Sequence, residues 1–186
     1  GGAREGSTLE SIDPGGRQWR ELGPERAIGC IVYPATEIEA PGVIHTLTAN
    51  GTALNPVVFT ALADDSAGGD TNTNGASTGT STAWRGIVYR PGSSGTLTWA
   101  DVRYCGAGYI SNVHVLGGAP TLEHCTLRNN YTAGINLNGN VGATVKNCAF
   151  VDNGSWPVDQ VSLAALPGFT ANVASGNASG NGMHVT

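Results

Sequence analysis

The chain has 186 residues, of which 12% are charged, with 9 Lys+Arg against 14 Asp+Glu and a net charge of −5. That length builds one domain with a real core, and that charge excludes nucleic-acid binding through a basic patch and membrane binding driven by basic residues. No apolar run approaches the roughly 18 residues of a membrane span, and with 40% hydrophobic residues the chain is too apolar for disorder.

The first residues, Gly1-Gly2-Ala3-Arg4-Glu5, lack the basic-then-apolar order of a signal peptide. Residues 1–26 read as a separate N-terminal segment, a cap on the β-rich remainder of the chain. Within them only Arg17–Leu22 has a helix-like composition. From residue 27 onward the chain is a succession of short apolar runs separated by Gly, Pro and Asn, which predicts strands. Ala27–Tyr33, Thr36–Ala40, Ile44–Ala49, Pro56–Thr60 and Trp84–Tyr89 are five of them. Between the last two lies a long polar loop at about 61–83.

Past residue 95 the strands repeat. Thr96–Arg103, Thr121–Arg128 and Thr144–Val151 superpose at offsets of 25 and 23 residues. Their apolar columns are Leu97, Leu122 and Val145; Ala100, Cys125 and Cys148; Val102, Leu127 and Phe150. A fourth copy comes near Phe169–Val173. Each unit ends in an Asn/Gly turn (Asn129-Asn130, Asp152-Asn153-Gly154, Gly176-Asn177) before a second short strand, as in Ile135–Leu137 and Met183–Val185. A period of about 24 with two or three strands suits one coil of a β-solenoid, and the whole chain divided by that period predicts about seven to eight coils. The C-terminal alternation Gly182–Thr186 reads as a strand without a cap.

The runs Leu47–Thr60, Trp84–Tyr89 and Gly95–Gly106, with the polar loop between the first two, resemble bacterial secreted right-handed parallel β-helix proteins of pectate-lyase-like architecture. The resemblance covers roughly residues 27–186 and carries the fold, not a catalytic motif. It implies an all-β, right-handed parallel β-helix in a secreted or cell-envelope protein.

Chemistry is sparser. Asp70-Thr71-Asn72-Thr73-Asn74-Gly75 matches the first half of a calcium loop, in which alternate oxygens converge on one hard cation and Gly permits the turn. With Asp64 and Asp65 it gives a candidate Ca²⁺ ligand set of Asp64, Asp65, Asp70, Asn72 and Asn74. The position of the bidentate Glu of an EF-hand is Ser81, and an Asx-turn loop accounts for the same string. On the strand face, Arg103 and Arg128 stack outward. Glu123 and Lys146 share a column with Thr98, and Trp99, His124 and Asn147 share another. Asp101, Arg103 and Arg128 are the catalytic candidates, weak ones, because Asp101 and Asp152 lie in different columns and form no carboxylate pair. A solvated face with a cross-coil salt bridge is the simpler reading of them.

The remaining signals are plainer. His45, His114, His124 and His184 fall on separate strands, and no G-x-S-x-G or phosphate loop occurs. Cys30, Cys105, Cys125 and Cys148 include no C-x-x-C pair, and Cys125 and Cys148 are expected as free, buried thiols. The functional expectation is a non-catalytic structural or glycan- and surface-binding module, with a polysaccharide or cell-surface component as partner. A polysaccharide lyase or hydrolase, or a fragment of one, is one alternative. A filament subunit stacking through its coil ends is the other.

Overall fold

Alternation of apolar and polar residues over runs of three to five makes strands with one buried face, and the repeat length returns each strand to the same side of the molecule. The computed structural model describes residues 46–139 and 142–186, all within the unit Val32–Thr186. The expected cap, the strands at 27–33 and 36–40, Cys30 and His45 lie outside the described residues.

Among the described residues, fifteen strands form three parallel sheets of five. The first sheet stacks β1 (Thr46–Asn50), β4 (Ser94–Thr98), β7 (Ala119–Glu123), β10 (Thr144–Lys146) and β13 (Phe169–Thr170). The second stacks β2 (Val57–Phe59), β5 (Ala100–Arg103), β8 (Thr126–Arg128), β11 (Ala149–Val151) and β14 (Val173–Ser175). The third stacks β3 (Ile87–Tyr89), β6 (Val113–Val115), β9 (Ile135–Asn136), β12 (Val158–Val161) and β15 (Met183–Val185). The chain therefore visits the sheets in turn, which defines an all-β parallel solenoid. A 3-10 helix at Leu163–Gly168 separates β12 from β13.

The sequence register is the observed one. Ala49, Leu97, Leu122, Val145 and Phe169 are successive partners in the first sheet. Phe59, Val102, Leu127, Phe150 and Ala174 are partners in the second. Leu97, Leu122, Val145, Val102 and Leu127 have no exposed surface. Each such side chain contributes about 1.5–3 kcal/mol by leaving water. The described residues make about four turns, not seven to eight. Dividing the chain by 24 assumes that every 24 residues add a coil, whereas the excursion between β2 and β3 spends a coil's length of chain without adding a strand.

Two sharp corners per coil join the sheets. Trp99, His124, Asn147 and Ala171 hold the first, at φ 50, 54, 53 and 54°. Tyr104, Asn129, Asp152 and Gly176 hold the second, at φ 60, 51, 52 and 68°. Only Asn, Asp and Gly visit this left-handed region readily, so Trp, His, Tyr and Ala are held there by the coils around them. Main-chain bonds from Trp99, His124 and Asn147 to Glu123, Lys146 and Thr170 carry the ladder through the first corner.

Inside the second corner runs an amide ladder. Asn130, Asn153 and Asn177 are 2%, 1% and 7% exposed. The Asn130 N–H donates to Asn153 Oδ1 (3.3 Å) and the Asn153 N–H to Asn177 Oδ1 (3.2 Å). Asn153 Nδ2 donates to the Leu127 carbonyl (3.1 Å), and Asn177 Nδ2 to that of Phe150 (3.0 Å). One coil earlier, Asn112 Nδ2 serves the Val102 carbonyl (2.7 Å). The inner face of the first corner is handled likewise: Cys125 N–H donates to Cys148 Sγ (3.4 Å), and Cys148 N–H to Asn172 Oδ1 (2.9 Å). Cys105, Cys125 and Cys148 are buried free thiols.

Two outcomes are expected in chemical denaturation. Leu122→Ala should cost about 2–5 kcal/mol. Asn153→Ala, although it removes few atoms, should cost about 1–3 kcal/mol by orphaning the Asn130 N–H and the Leu127 carbonyl. An Asn153→Ala midpoint equal to wild type would show that the ladder contributes nothing.

Candidate functional site

The outward residues of the second sheet and the loop that crosses them form a buried ionic network. Arg103, 7% exposed, donates from Nε to Asp64 Oδ2 (2.7 Å), from Nη1 to Asp101 Oδ2 (2.9 Å) and from Nη2 to Ser66 Oγ (2.7 Å). Arg128 grips Asp101 with two bonds, Nε to Oδ1 (3.0 Å) and Nη2 to Oδ2 (2.8 Å), and its Nη1 donates to Asn129 Oδ1 (3.1 Å). Two carboxylates and two guanidinia thus neutralise one another. Every nitrogen of both guanidinia already donates to protein. The stacking of Arg103 on Arg128 is tolerated because Asp101, one column over, reaches both.

The network therefore brings the three catalytic candidates, Asp101, Arg103 and Arg128, together, and adds Asp64 from the loop. Burial alone would raise the Asp64 carboxyl, but hydrogen bonds from Ser66 and Thr60 and the charge of Arg103 outweigh it and hold the group below the usual carboxylate range. Asp101 pulls Arg128 the other way, upward, against the effect of burial.

The five residues proposed for calcium are divided among separate partners. Asp64 is turned to Arg103, with Oδ1 accepting from Ser66 Oγ (2.7 Å). Asp65 Oδ2 accepts from the Ser77 N–H, and the Ser77 hydroxyl lies 3.2 Å from both Asp65 Oδ2 and Asn74 Oδ1. Asp70 closes its own turn, accepting from the Asn74 N–H (3.1 Å) and the Gly75 N–H (2.9 Å). Asn72 Oδ1 faces the Asn74 N–H at 3.4 Å. Among the described residues no group of three or more His, Cys, Asp or Glu is gathered for a metal ion. Coordination by all five would require Asp64 to leave Arg103.

Beside this network, along the second corner, a shallow groove of about 680 Å³ is lined by Tyr104, Asn129, Tyr131 and Asp152, with Ser81 of the loop at one edge and Gly176 at the other. Tyr104 is pinned, with the Arg103 guanidinium 5.8 Å from its ring centre and Gly79 so close to the ring that a Cβ would collide. Tyr131 and Tyr109 form an edge-to-face pair with centroids 5.4 Å apart, and are 46% and 76% exposed. Asp152 is exposed and makes no side-chain hydrogen bond or ion pair among the described residues. The tyrosines were not anticipated as a site. The signal was available, because Tyr104, Asn129, Asp152 and Gly176 continue the 25, 23 and 24 residue offsets one place past the strand.

The histidines sit elsewhere. His124 stacks on Trp99 at 4.4 Å and 7° on the first corner. On the third sheet Asn136 Nδ2 donates to Asp159 Oδ2 (3.1 Å), and His184 Nδ1 lies 2.7 Å from Asp159 Oδ1 under a stacked Trp156. His114, on the same face, has its pKa lowered by burial.

No family model matches the sequence, and no solved structure matches it. Over 45 residues, 24% of this chain, it is 54% identical to a protein of Mesorhizobium japonicum named 2-dehydropantoate 2-reductase. The matched stretch is 14% of that protein's length and shorter than two coils of the repeat.

The Asp64–Arg103 pair fixes the expected pH behaviour. Because the folded carboxyl is held below its unfolded value of 3.8, its stabilisation is complete above that value and is lost as pH falls through the lower folded one. Asp64→Asn should lower the unfolding midpoint at pH 7 and flatten its decline below about pH 4. Arg103→Ala leaves Asp64 buried and unpaired, should cost about 3–5 kcal/mol, and should expose residues 66–77 to limited proteolysis. An acid limb unchanged by Asp64→Asn, or a loop equally resistant in Arg103→Ala, contradicts this assignment.

Proposed function

We propose that the described coils are a non-catalytic binding module of a secreted or envelope protein, and that the groove along the second corner contacts glycan. The observation that carries this reading is the exposed Tyr109–Tyr131 pair beside a groove lined with amide and carboxylate oxygens. Sugars present apolar C–H faces and a rim of hydroxyls. Fixed aromatic rings and fixed polar groups match both at low entropic cost. The parallel coils make the platform rigid, so little ordering is needed on binding.

The commitment of Arg103, Arg128 and Asp101 to one another favours binding over catalysis by those residues, because a catalytic acid or base needs a proton path to substrate. The short likeness to a protein named as a reductase does not alter this reading. The sequence contains no G-x-G-x-x-G string, and the three parallel sheets of the described residues are not the alternating strand–helix unit that holds dinucleotides.

Isothermal titration with neutral oligosaccharides of glucose and N-acetylglucosamine tests the proposal. Wild type should bind at least one of them. Tyr131→Ala and Tyr109→Ala should each weaken it by about tenfold while leaving the melting temperature within a few degrees. Binding that ignores both substitutions, or no binding by wild type to either series, overturns it.

A further inference from the structure

We infer that the groove selects glycans carrying free ammonium groups, such as oligomers of glucosamine, over polyuronates; this rests on the glycan-binding reading above. Charge sets the preference. Among the described residues lining the groove, Asp152 is the one that carries a formal charge. Its carboxylate lies exposed at the second corner, against Gly176, with no cation on it. The nearest guanidinia cannot serve an incoming carboxylate. Arg128 holds Asp101 with two bonds and Asn129 with a third, and Arg103 is buried between Asp64, Asp101 and Ser66.

The arginine network is therefore neutral as a unit, and the groove beside it carries the unbalanced charge of Asp152. A uronate would enter against that charge and find no free partner. An ammonium finds a carboxylate in a groove that Tyr131 also lines, and an aromatic face adds a cation–π contact. Arg85, exposed and close to Gly108, lies outside the groove lining and is a cation that a uronate could reach.

The backbone supplies a clean variant. Asp152 sits at φ 52°, and the residue in its place one coil earlier is Asn129 at φ 51°. Asp152→Asn therefore puts into the corner a residue that the same corner already accommodates, and removes only the charge.

The test measures binding of glucosamine oligomers, N-acetylglucosamine oligomers, oligogalacturonate and a lysine-rich peptide to wild type, Asp152→Asn, Tyr131→Ala and Arg85→Ala. The expected result is a preference of about fivefold for glucosamine over N-acetylglucosamine oligomers, weakened by salt. Asp152→Asn should abolish that preference, bringing the affinity for the glucosamine oligomer down to that for the N-acetylated one. Tyr131→Ala should weaken both sugars. If the neutral oligomer binds and the preference is missing, or survives Asp152→Asn, this inference fails and the glycan reading stands. If oligogalacturonate binds best and Arg85→Ala removes it, the groove's charge does not select the ligand. If the lysine-rich peptide alone binds, the ligand is a protein and both readings fail.

Discussion

Each described coil is joined to the next by main-chain hydrogen bonds between parallel strands in register, and the two left-handed corner residues per coil make that register possible. A strand of three to five residues cannot turn gradually. One residue must take the bend, and at the first corner the sequence places Trp99, His124, Asn147 and Ala171 there, whose side chains share no chemistry. Non-glycine residues in this region cost of order 1–3 kcal/mol each. What holds them is the stack: the N–H groups of Trp99, His124 and Asn147 still bond to the next coil, and the interior on either side is closed by Leu97, Leu122 and Val145 and by Val102, Leu127 and Phe150.

The amide ladder at the second corner arises from the same constraint. A tight bend turns main-chain groups inward, where no water reaches them, and a buried unpaired amide or carbonyl costs about 1–3 kcal/mol. Asn153 and Asn177 answer that with a side chain that accepts from the N–H of the asparagine one coil before and donates to a carbonyl of that coil. Because the inner side of the corner is fixed in this way, its outer side is fixed too. Tyr104, Asn129 and Asp152 are presented as a column, and the groove lies along it.

Much of the fold was legible in the sequence because burial repeats. Leu97, Leu122 and Val145 are apolar at matching offsets, and that alone specifies parallel pairing and register. The amide ladder was visible only as turn residues, since asparagine is favoured both in turns and in the left-handed region, and spacing does not tell a solvated amide from a buried one. The excursion between β2 and β3, where periodicity fails, removes one coil from the count, and residues 1–45, outside the described residues, enter the division without being counted among the described coils. The same excursion hid the partner of Arg103. Asp64 is 39 residues away on an aperiodic segment, where the oxygen-rich string made it a calcium candidate and gave no sign of its bond to Arg103. The groove is not visible in the strand columns because its tyrosines come from a corner, Tyr104, and from a turn, Tyr131, with Tyr109 beside it.

In-register parallel stacking carried through the corners underlies every other feature of the molecule, and electron paramagnetic resonance reads it directly. Glu123 and Lys146 are cross-strand partners on the outer face of the first sheet, one coil apart. Nitroxides attached at Glu123→Cys and Lys146→Cys, in a chain with Cys30 replaced by serine, would sit about 4.8 Å apart along the stack at their backbones. The predicted spectrum is collapsed by spin exchange between neighbouring labels, and relaxes to the ordinary three-line form when either label is present alone. A doubly labelled, folded protein that gives the plain sum of two isolated labels would contradict the stacking on which the ladder, the corners and the groove all depend.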